Sequence, residues 1–356
     1  MSKSTIITGL DISSSKVSTL AMEIFGDGHS AVLAYESQPS KGVSRGGFSD
    51  IAQASNSVAK VLTRLCEKIG RPPDNIYANV SGDSIRAERS KGMVPISSRG
   101  REITQSDISR CIDAASTIRL TFDREIIHKI VLNFSIDDQS SIKNALGLYA
   151  SRLYCEVYMV TANLNHIQNM YKCVNDAGYD LKEVVYSGVA DGASLLEDPW
   201  KDEGVALVNI GASITELSIF SGGALTFLDV LCSGANDIKG PLKDSVEFSS
   251  ITSRLKSDIE EFSKKGSGIK SVVIAGGLAL SEGTAECLEE RLGYHVRMGT
   301  VKNVHGNISS TDSLRAATAI GLARYALGQY QPRAMQARNF VQNISNRVVE
   351  IFNNYF

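Results

Sequence analysis

The chain has 356 residues, 43% of them hydrophobic, and 37 Lys and Arg against 39 Asp and Glu give a formal charge of −2. That length can bury one large core or two to three domain cores, and the near-neutral balance lacks the basic field of a nucleic-acid binder, so no nucleic acid is expected as a partner. No run approaches the ~18 apolar residues that a spanning helix needs, and the N-terminus MSKSTIITGLDISSS holds no signal-peptide stretch. The six cysteines are scattered without paired spacing, as expected of reduced, buried thiols in a cytoplasm, and the equally scattered histidines argue against structural zinc.

In chain order, the pattern predicts strands at Thr5 to Asp11, Val17 to Ile24 and Ser30 to Ser37, with a Gly26-Asp27-Gly28 turn between the last two. An amphipathic helix from Ser49 to Ile69 stops at Gly70, and Ile76 to Val80 is a short apolar strand. From Asp83 to Thr161 the texture becomes more charged and mixed. A helix starts at Thr104-Gln105-Ser106-Asp107 and runs to about Ile118, with Asp107 favoured by the helix dipole. Ile126 to Ile136 and Leu153 to Val160 alternate like strands, so this block reads as a compact α+β insertion. Leu164 to Asp176 is helical, Leu181 to Ser187 a strand and Val189 to Leu196 a helix, and Asp198-Pro199-Trp200 to Gly204 makes a hinge-like break. Three strands follow at Val205 to Ile210, Thr215 to Phe220 and Ala224 to Val230, repeating the order of the first 37 residues as a weak internal duplication. A helix from Ser245 to Lys264, a strand from Ser271 to Ala275, a helix from Ser281 to Leu292, a strand from His295 to Met298 and a helix from Ser313 to Leu327 complete the body.

Two strand–turn–strand units carry the chemistry. The first is Gly9-Leu10-Asp11-Ile12-Ser13-Ser14-Ser15-Lys16-Val17, the second Val208-Asn209-Ile210-Gly211-Ala212-Ser213-Ile214-Thr215-Glu216. Tight turns of small residues let backbone N–H groups approach phosphate oxygens, and the Ser13 to Ser15 hydroxyls can add donors. Asp11, at a strand end, can hold a hydrated magnesium ion. Either loop alone is an ordinary hairpin turn. With Ala275-Gly276-Gly277 after a later strand, they come in the order seen in the actin, heat-shock chaperone and sugar-kinase superfamily.

Within that superfamily the chain resembles the FtsA family of bacterial cell-division proteins. The resemblance is carried by G-L-D-I-x-x-S-K-V at Gly9 to Val17 and P-S-x-G-x-x-x-G-G at Pro39 to Gly47. The insertion adds Ser81-Gly82, G-M-V-P-I-S at Gly92 to Ser97 and I-K-N-A-L-G-L at Ile142 to Leu148. It implies an α/β, actin-like (ribonuclease H-like) two-lobed fold with an α+β insertion domain and a C-terminal amphipathic helix. The implied division is 1–82 and 162–203 for the first lobe, 83–161 for the insertion, 204–328 for the second lobe and 329–356 for a tether and membrane helix. The resemblance further implies a peripheral protein at the cytoplasmic face of the membrane, at the division septum. Such a protein anchors FtsZ-type filaments, self-associates into filaments and binds ATP with magnesium. The cofactor residues would be Asp11, Ser13, Ser14, Ser15, Lys16, Gly211, Ala212, Ser213, Thr215, Gly276 and Gly277, with Asp11 toward the metal. The rival readings are an actin-like ATPase driving assembly and an actin-like pilus-assembly scaffold.

Two departures qualify this. The family's second loop resembles D-I-G-G-G-T-T-D, whereas Asn209 here removes a carboxylate and Ala212 and Ser213 add Cβ atoms where backbone should approach phosphate. The first loop has Ser13 where glycine is usual. Efficient ATP hydrolysis is therefore not expected. One helix is also all that separates Gly234-Ala235-Asn236-Asp237-Ile238 from the strand at Ser271. Family members place there a subdomain that closes over the adenosine and offers the FtsZ-tail groove, and here it reads as reduced or absent.

Other candidates have blander readings. The basic run Arg86, Arg89, Lys91, Arg99 and Arg101 is interrupted by Glu88 and Glu102 and reads as a solvated face. Asp258, Glu260 and Glu261 read as solvating one helix, His128, His166, His295 and His305 as structural or surface residues, and Trp200 as a hinge or packing residue. At the C-terminus, Ile344, Val348, Ile351, Phe352 and Tyr355 form one apolar stripe at helical period, extended by Phe340 and Val341 and opposed by Asn343, Asn346, Arg347, Glu350, Asn353 and Asn354. Behind the polar stretch QYQPRAMQAR, the stripe suits a membrane interface or a terminal helix docked on its own domain.

Overall fold

The computed structural model describes residues 5–25, 29–117, 121–266 and 268–330. The turn expected at Gly26 to Gly28 and the stripe from Ile344 to Tyr355 lie outside them. β1 (Thr5–Ile12) turns at Ser13–Ser15 into β2 (Lys16–Ile24), and β3 (Ser30–Pro39) completes an antiparallel meander. A small hairpin follows, β4 (Val43–Ser44) and β5 (Gly47–Phe48). Its two turn residues, Arg45 (φ 49°) and Gly46 (φ 77°), both take positive φ, as a type I′ turn requires. α1 (Ile51–Ile69) is capped by Asp50, whose carboxylate accepts from Gln53 N at 3.0 Å. It ends at left-handed Gly70, and it buries Val58, Val61, Leu62 and Leu65 completely. β6 (Ile76–Val80) then lies parallel to β1.

The insertion contains β7 (Arg86–Pro95), β8 (Arg101–Glu102), α2 (Gln105–Ser116), β9 (Arg124–Ile136), β10 (Gln139–Ile142), β11 (Tyr149–Ala150) and β12 (Arg152–Asn163). Its main sheet has the order β10-β9-β12-β7. α2 opens on a reciprocal capping box between Thr104 and Asp107, and Arg101 and Arg110 hold the Asp107 carboxyl far below the usual range. β8, β10 and β11 are too short for their alternation to have shown in the sequence.

The chain returns through α3 (Leu164–Asp176), β13 (Leu181–Tyr186), α4 (Ser187–Leu195) and α5 (Asp198–Glu203). The break expected around Trp200 is thus a short helix, started by Pro199 in its first turn. Trp200 packs there under two cations, with Arg297 and Lys302 at 5.4 and 5.5 Å from its ring centre. The second lobe contains β14 (Val205–Ile210), β15 (Thr215–Ser221), β16 (Ala224–Leu231), α6 (Val246–Lys264), β17 (Ser271–Ala275), α7 (Thr284–Leu292) and β18 (Val296–Met298). α8 (Ser310–Arg315) and α9 (Ala317–Tyr330) take the place of one predicted helix, because the chain breaks at Ala316. Asp258 also departs from expectation. It is buried against Arg254 (3.0 Å), and burial with the neighbouring Asp229 raises its pKa to about 6.

The two large sheets have the same topology. The first runs β3-β2-β1-β6-β13 and the second β16-β15-β14-β17-β18, each an antiparallel meander extended by two parallel strands. Asp11 and Asn209 are equivalent, each one residue from the end of its sheet's first strand. One buried cluster joins the parts, combining Leu10 and Val58 of the first lobe, Tyr158 and Val160 of the insertion, and Leu207 and Phe220 of the second lobe. The insertion also reaches β16, where the Tyr158 hydroxyl accepts from Leu228 N at 2.9 Å and Arg89 donates to Thr226 O at 3.2 Å.

α9 sits unusually close to β1 and α4. A Cβ at Gly9 would lie 2.0 Å from the Ala319 carbonyl oxygen, and one at Gly321 would lie 1.9 Å from that of Ala190. Gly9→Ala must push α9 off the sheet, and overpacking of this kind costs about 1–3 kcal/mol. Urea unfolding of the variant is expected to show that loss as a lowered midpoint with an unchanged slope.

Candidate functional site

The two equivalent turns, Ser13–Ser15 and Gly211–Ile214, both line a cavity of about 380 Å³ between the lobes. Each turn is built by its own strands. Ser13 N and Oγ both donate to Lys16 O (3.0 and 2.9 Å), and Gly211 N donates to Ile214 O (2.9 Å). The second turn is backed by the segment at Gly234: a Cβ there would sit 2.7 Å from Ser213 N, and Asn236 N donates to Ala212 O at 2.8 Å. Gly276, at φ 88°, closes on Ile210 O so tightly that a Cβ would approach it to 2.3 Å.

The floor is acidic. Asp11 is buried and accepts from Asn79 Nδ2 (3.1 Å) and Ser18 Oγ (3.3 Å), with Lys16 Nζ at 3.6 Å. Burial raises its pKa despite that lysine, whose ammonium also donates to the Arg315 carbonyl. Asp191, on α4, accepts from Asn209 Nδ2 (2.6 Å) and Thr318 Oγ1 (2.7 Å), and burial pushes it up to about 6. Glu216 accepts from Ser81 Oγ at 2.5 Å, and burial, then the nearby Asp191, push it up to about 8. Three carboxyls in a water-poor space cannot all ionise cheaply, so at neutral pH Glu216 holds a proton. Apolar side chains also line the cavity, among them Leu280, Met298, Leu314, Val43, Phe48 and Met170.

Ten of the eleven residues expected around a cofactor line this cavity: Asp11, Ser13, Ser14, Ser15, Lys16, Gly211, Ala212, Ser213, Gly276 and Gly277. Thr215 does not. Its buried hydroxyl turns away and donates to Ser233 O at 2.8 Å. His166, expected to be structural or on the surface, lines the cavity and stacks edge-on against Phe48. Sequence reasoning missed Asn79, Asp191, Ser81, Thr318 and the role of Glu216. Two of these carried a signal: Asn79 is a lone amide in the fully buried strand IYANV, and Asp191 a lone acid in the small-residue helix SGVADGASL. Among the described residues no three His, Cys, Asp or Glu converge to hold a metal unaided.

Comparison with solved structures places this architecture. A chain from a PilM–PilN type IV pilus biogenesis complex superposes with a TM-score of 0.65 at 15% identity, covering 90% of this chain and 98% of its own. The ethanolamine utilization protein EutJ from Carboxydothermus hydrogenoformans gives 0.50 at 13%, covering 90% and 89%. The chain has the actin-like α/β fold. Residues 82–161 match the model of the SHS2 domain inserted in FtsA. Cell division protein FtsA of Pseudomonas aeruginosa is 26% identical over 90% of this chain and 89% of its own, and that of Borreliella burgdorferi 26% over 96% and 94%. The chain is thus similar to cell division protein FtsA over nearly its whole length, its insertion included.

The acid cluster makes stability depend on pH in a stated direction. Glu216 and Asp191 bind protons more tightly folded than unfolded, so their contribution is complete below about pH 4 and is lost as pH rises through 6 and then 8. Glu216→Gln mimics the protonated form. It is expected to melt with the parent at pH 5 and above it at pH 8.5, as thermal unfolding across that range would read.

Proposed function

We propose that this chain tethers division-ring filaments to the cytoplasmic membrane, and that it binds nucleotide without turning it over efficiently. The tether rests on the stripe Ile344, Val348, Ile351, Phe352 and Tyr355, which follows α9 after the polar segment QYQPRAMQAR. Among the described residues no helix is long and apolar enough to cross a membrane. Each large apolar side chain contributes about 1.5–3 kcal/mol at full burial, less at partial depth. Arg347, on the opposite face, is the one cation between Ile344 and Tyr355, so attraction to anionic lipid is modest and apolar insertion dominates. Avidity in a polymer would make such binding firm.

The cleft fits a nucleotide in its shape. Its loops present backbone of small residues, Leu280 and Met298 offer an apolar wall to a base, and Lys16 and Arg315 are cations on its lining. Asp11 is the carboxylate that would hold magnesium, the other ligands coming from phosphate and water. Bound Mg–ATP would supply a polyanion with its counter-cation, and the second loop offers no ionised carboxylate to activate water. Asn209 is an amide committed to Asp191, and Glu216 is protonated at neutral pH.

The partner by relationship is an FtsZ-type filament. Between Leu231 and Ser271 the described residues form only turns and α6, so the usual tail-binding subdomain is reduced and FtsZ-tail binding is weak or indirect. Self-association through the insertion is the stronger contact in this reading. Met93, Leu146, Leu148 and Tyr149 are 43–75% exposed there, and a head-to-tail contact leaves open filament ends.

Val348→Glu with Phe352→Glu puts two charges on the apolar stripe and is expected to move most of the protein from the pellet to the supernatant in liposome sedimentation, with the melting temperature unchanged. Persistent liposome binding with a melting temperature lowered by many degrees would instead establish a helix docked on its own domain. In the cleft, Asn209→Asp sets a second carboxyl against Asp191. It is expected to lower stability above pH 7 and to leave steady-state ATP hydrolysis at background, and a turnover matching chaperone-type relatives in either protein would establish the ATPase reading.

A further inference from the structure

The lobes meet above the cavity through a relay of hydroxyls. Arg45 N donates to Ser213 Oγ at 3.1 Å, and Ser213 Oγ donates to Ser14 Oγ at 2.6 Å. The relay therefore joins three elements: the tip of the β4–β5 hairpin, the second-lobe turn and the first-lobe turn. Local geometry aims each member. The type I′ turn at Arg45–Gly46 points the Arg45 amide across the cleft. Gly46 lies so close to Gly82 that a Cβ on it would come within 2.6 Å of the Gly82 Cα, which seats the hairpin on the segment whose Ser81 holds Glu216. Ser213 is pinned from behind by the segment at Gly234.

A phosphate group held by both turns must lie between them, and at 2.6 Å the two serine oxygens leave no room for it. We propose that Ser213 is a latch on the cleft: its hydroxyl holds the two turns together and the hairpin down. A nucleoside polyphosphate enters by breaking the relay and freeing the hairpin. This rests on the nucleotide reading above and adds its regulation. Binding then carries a coupling, because the ligand is weakened by the relay it must break and reports its presence at residues 43–48, outside the phosphate turns. The Ser213 hydroxyl, where the second loop departs from glycine, is in this view the means of that coupling, with Ser14 as its partner.

Hydrogen exchange and ligand binding on the full chain test the latch, with Mg–ATP as the probe. Without nucleotide, Ser213→Ala is expected to speed exchange of segment 43–48 about fivefold or more, the worth of one lost hydrogen bond, while Ser213→Thr, which keeps a hydroxyl, stays near the parent. Parent-like exchange in Ser213→Ala overturns the latch. With Mg–ATP, the parent is expected to exchange faster at 43–48 while the turns at 12–15 and 210–214 slow, and slowing at all three overturns the coupling. A fluorescent ATP analogue is expected to bind Ser213→Ala about tenfold more tightly than the parent, whereas weaker binding would make Ser213 a phosphate donor and overturn the proposal. Failure of every form to bind Mg–ATP overturns the nucleotide reading and the coupling together. The latch itself then stands or falls on the nucleotide-free comparison.

Discussion

The close seat of α9 against β1 and α4 is the constraint on which the rest of the molecule depends. Gly9 and Gly321 remove the side chains that would hold the helix away, and Ala319, Ala323 and Ala326 keep its buried face thin. Only at that distance does Thr318 reach Asp191, and only then does the turn before α9 bring the Arg315 carbonyl to Lys16. The polar floor of the cleft is thus a product of apolar packing one layer beneath it. The seat also explains why α4 can carry a buried acid, since both of its carboxylate oxygens are met by donors from neighbouring elements.

Repetition of one sheet topology across the two lobes shows what has diverged. In the first lobe Asp11 stands opposite Ser18, and in the second Asn209 stands opposite Glu216. One carboxyl is kept in each pair, but on different strands. Asp11 shares its place with a lysine, whereas Glu216 meets the Ser81 hydroxyl and stays protonated. Equivalent turns have in this way acquired unequal electrostatics: the first suits a cation, the second a neutral hydrogen-bonding wall.

Much of the fold was legible because its signals are local. The period of β1, β2, α1, β14 and β17, and stops such as Gly70, need only near neighbours in sequence. The two turns were legible as a pair because small residues after a strand are visible by themselves. What sequence reasoning could not supply was depth. Asp258 has the composition of a solvated acid and is buried, because α6 turns that residue toward β16. Thr215 has the composition of a phosphate donor, and strand alternation directs its hydroxyl at Ser233 instead. Ser81 and Glu216 lie 135 positions apart, and only the lobe-to-lobe approach makes them partners.

The bond from Tyr158 to the Leu228 amide, with Arg89 on the Thr226 carbonyl, has a consequence for folding in a crowded cell. β16 is the outermost strand of the second sheet, and an outer strand with free amides and carbonyls is a template for stray strands of other molecules. Side chains of β7 and β12 occupy two of those groups, so the insertion shields the edge as well as projecting from the body. A molecule whose insertion is late to fold would present that edge uncovered. The order in which the chain is completed, insertion before second lobe, means that the guard is synthesised before the strand it covers.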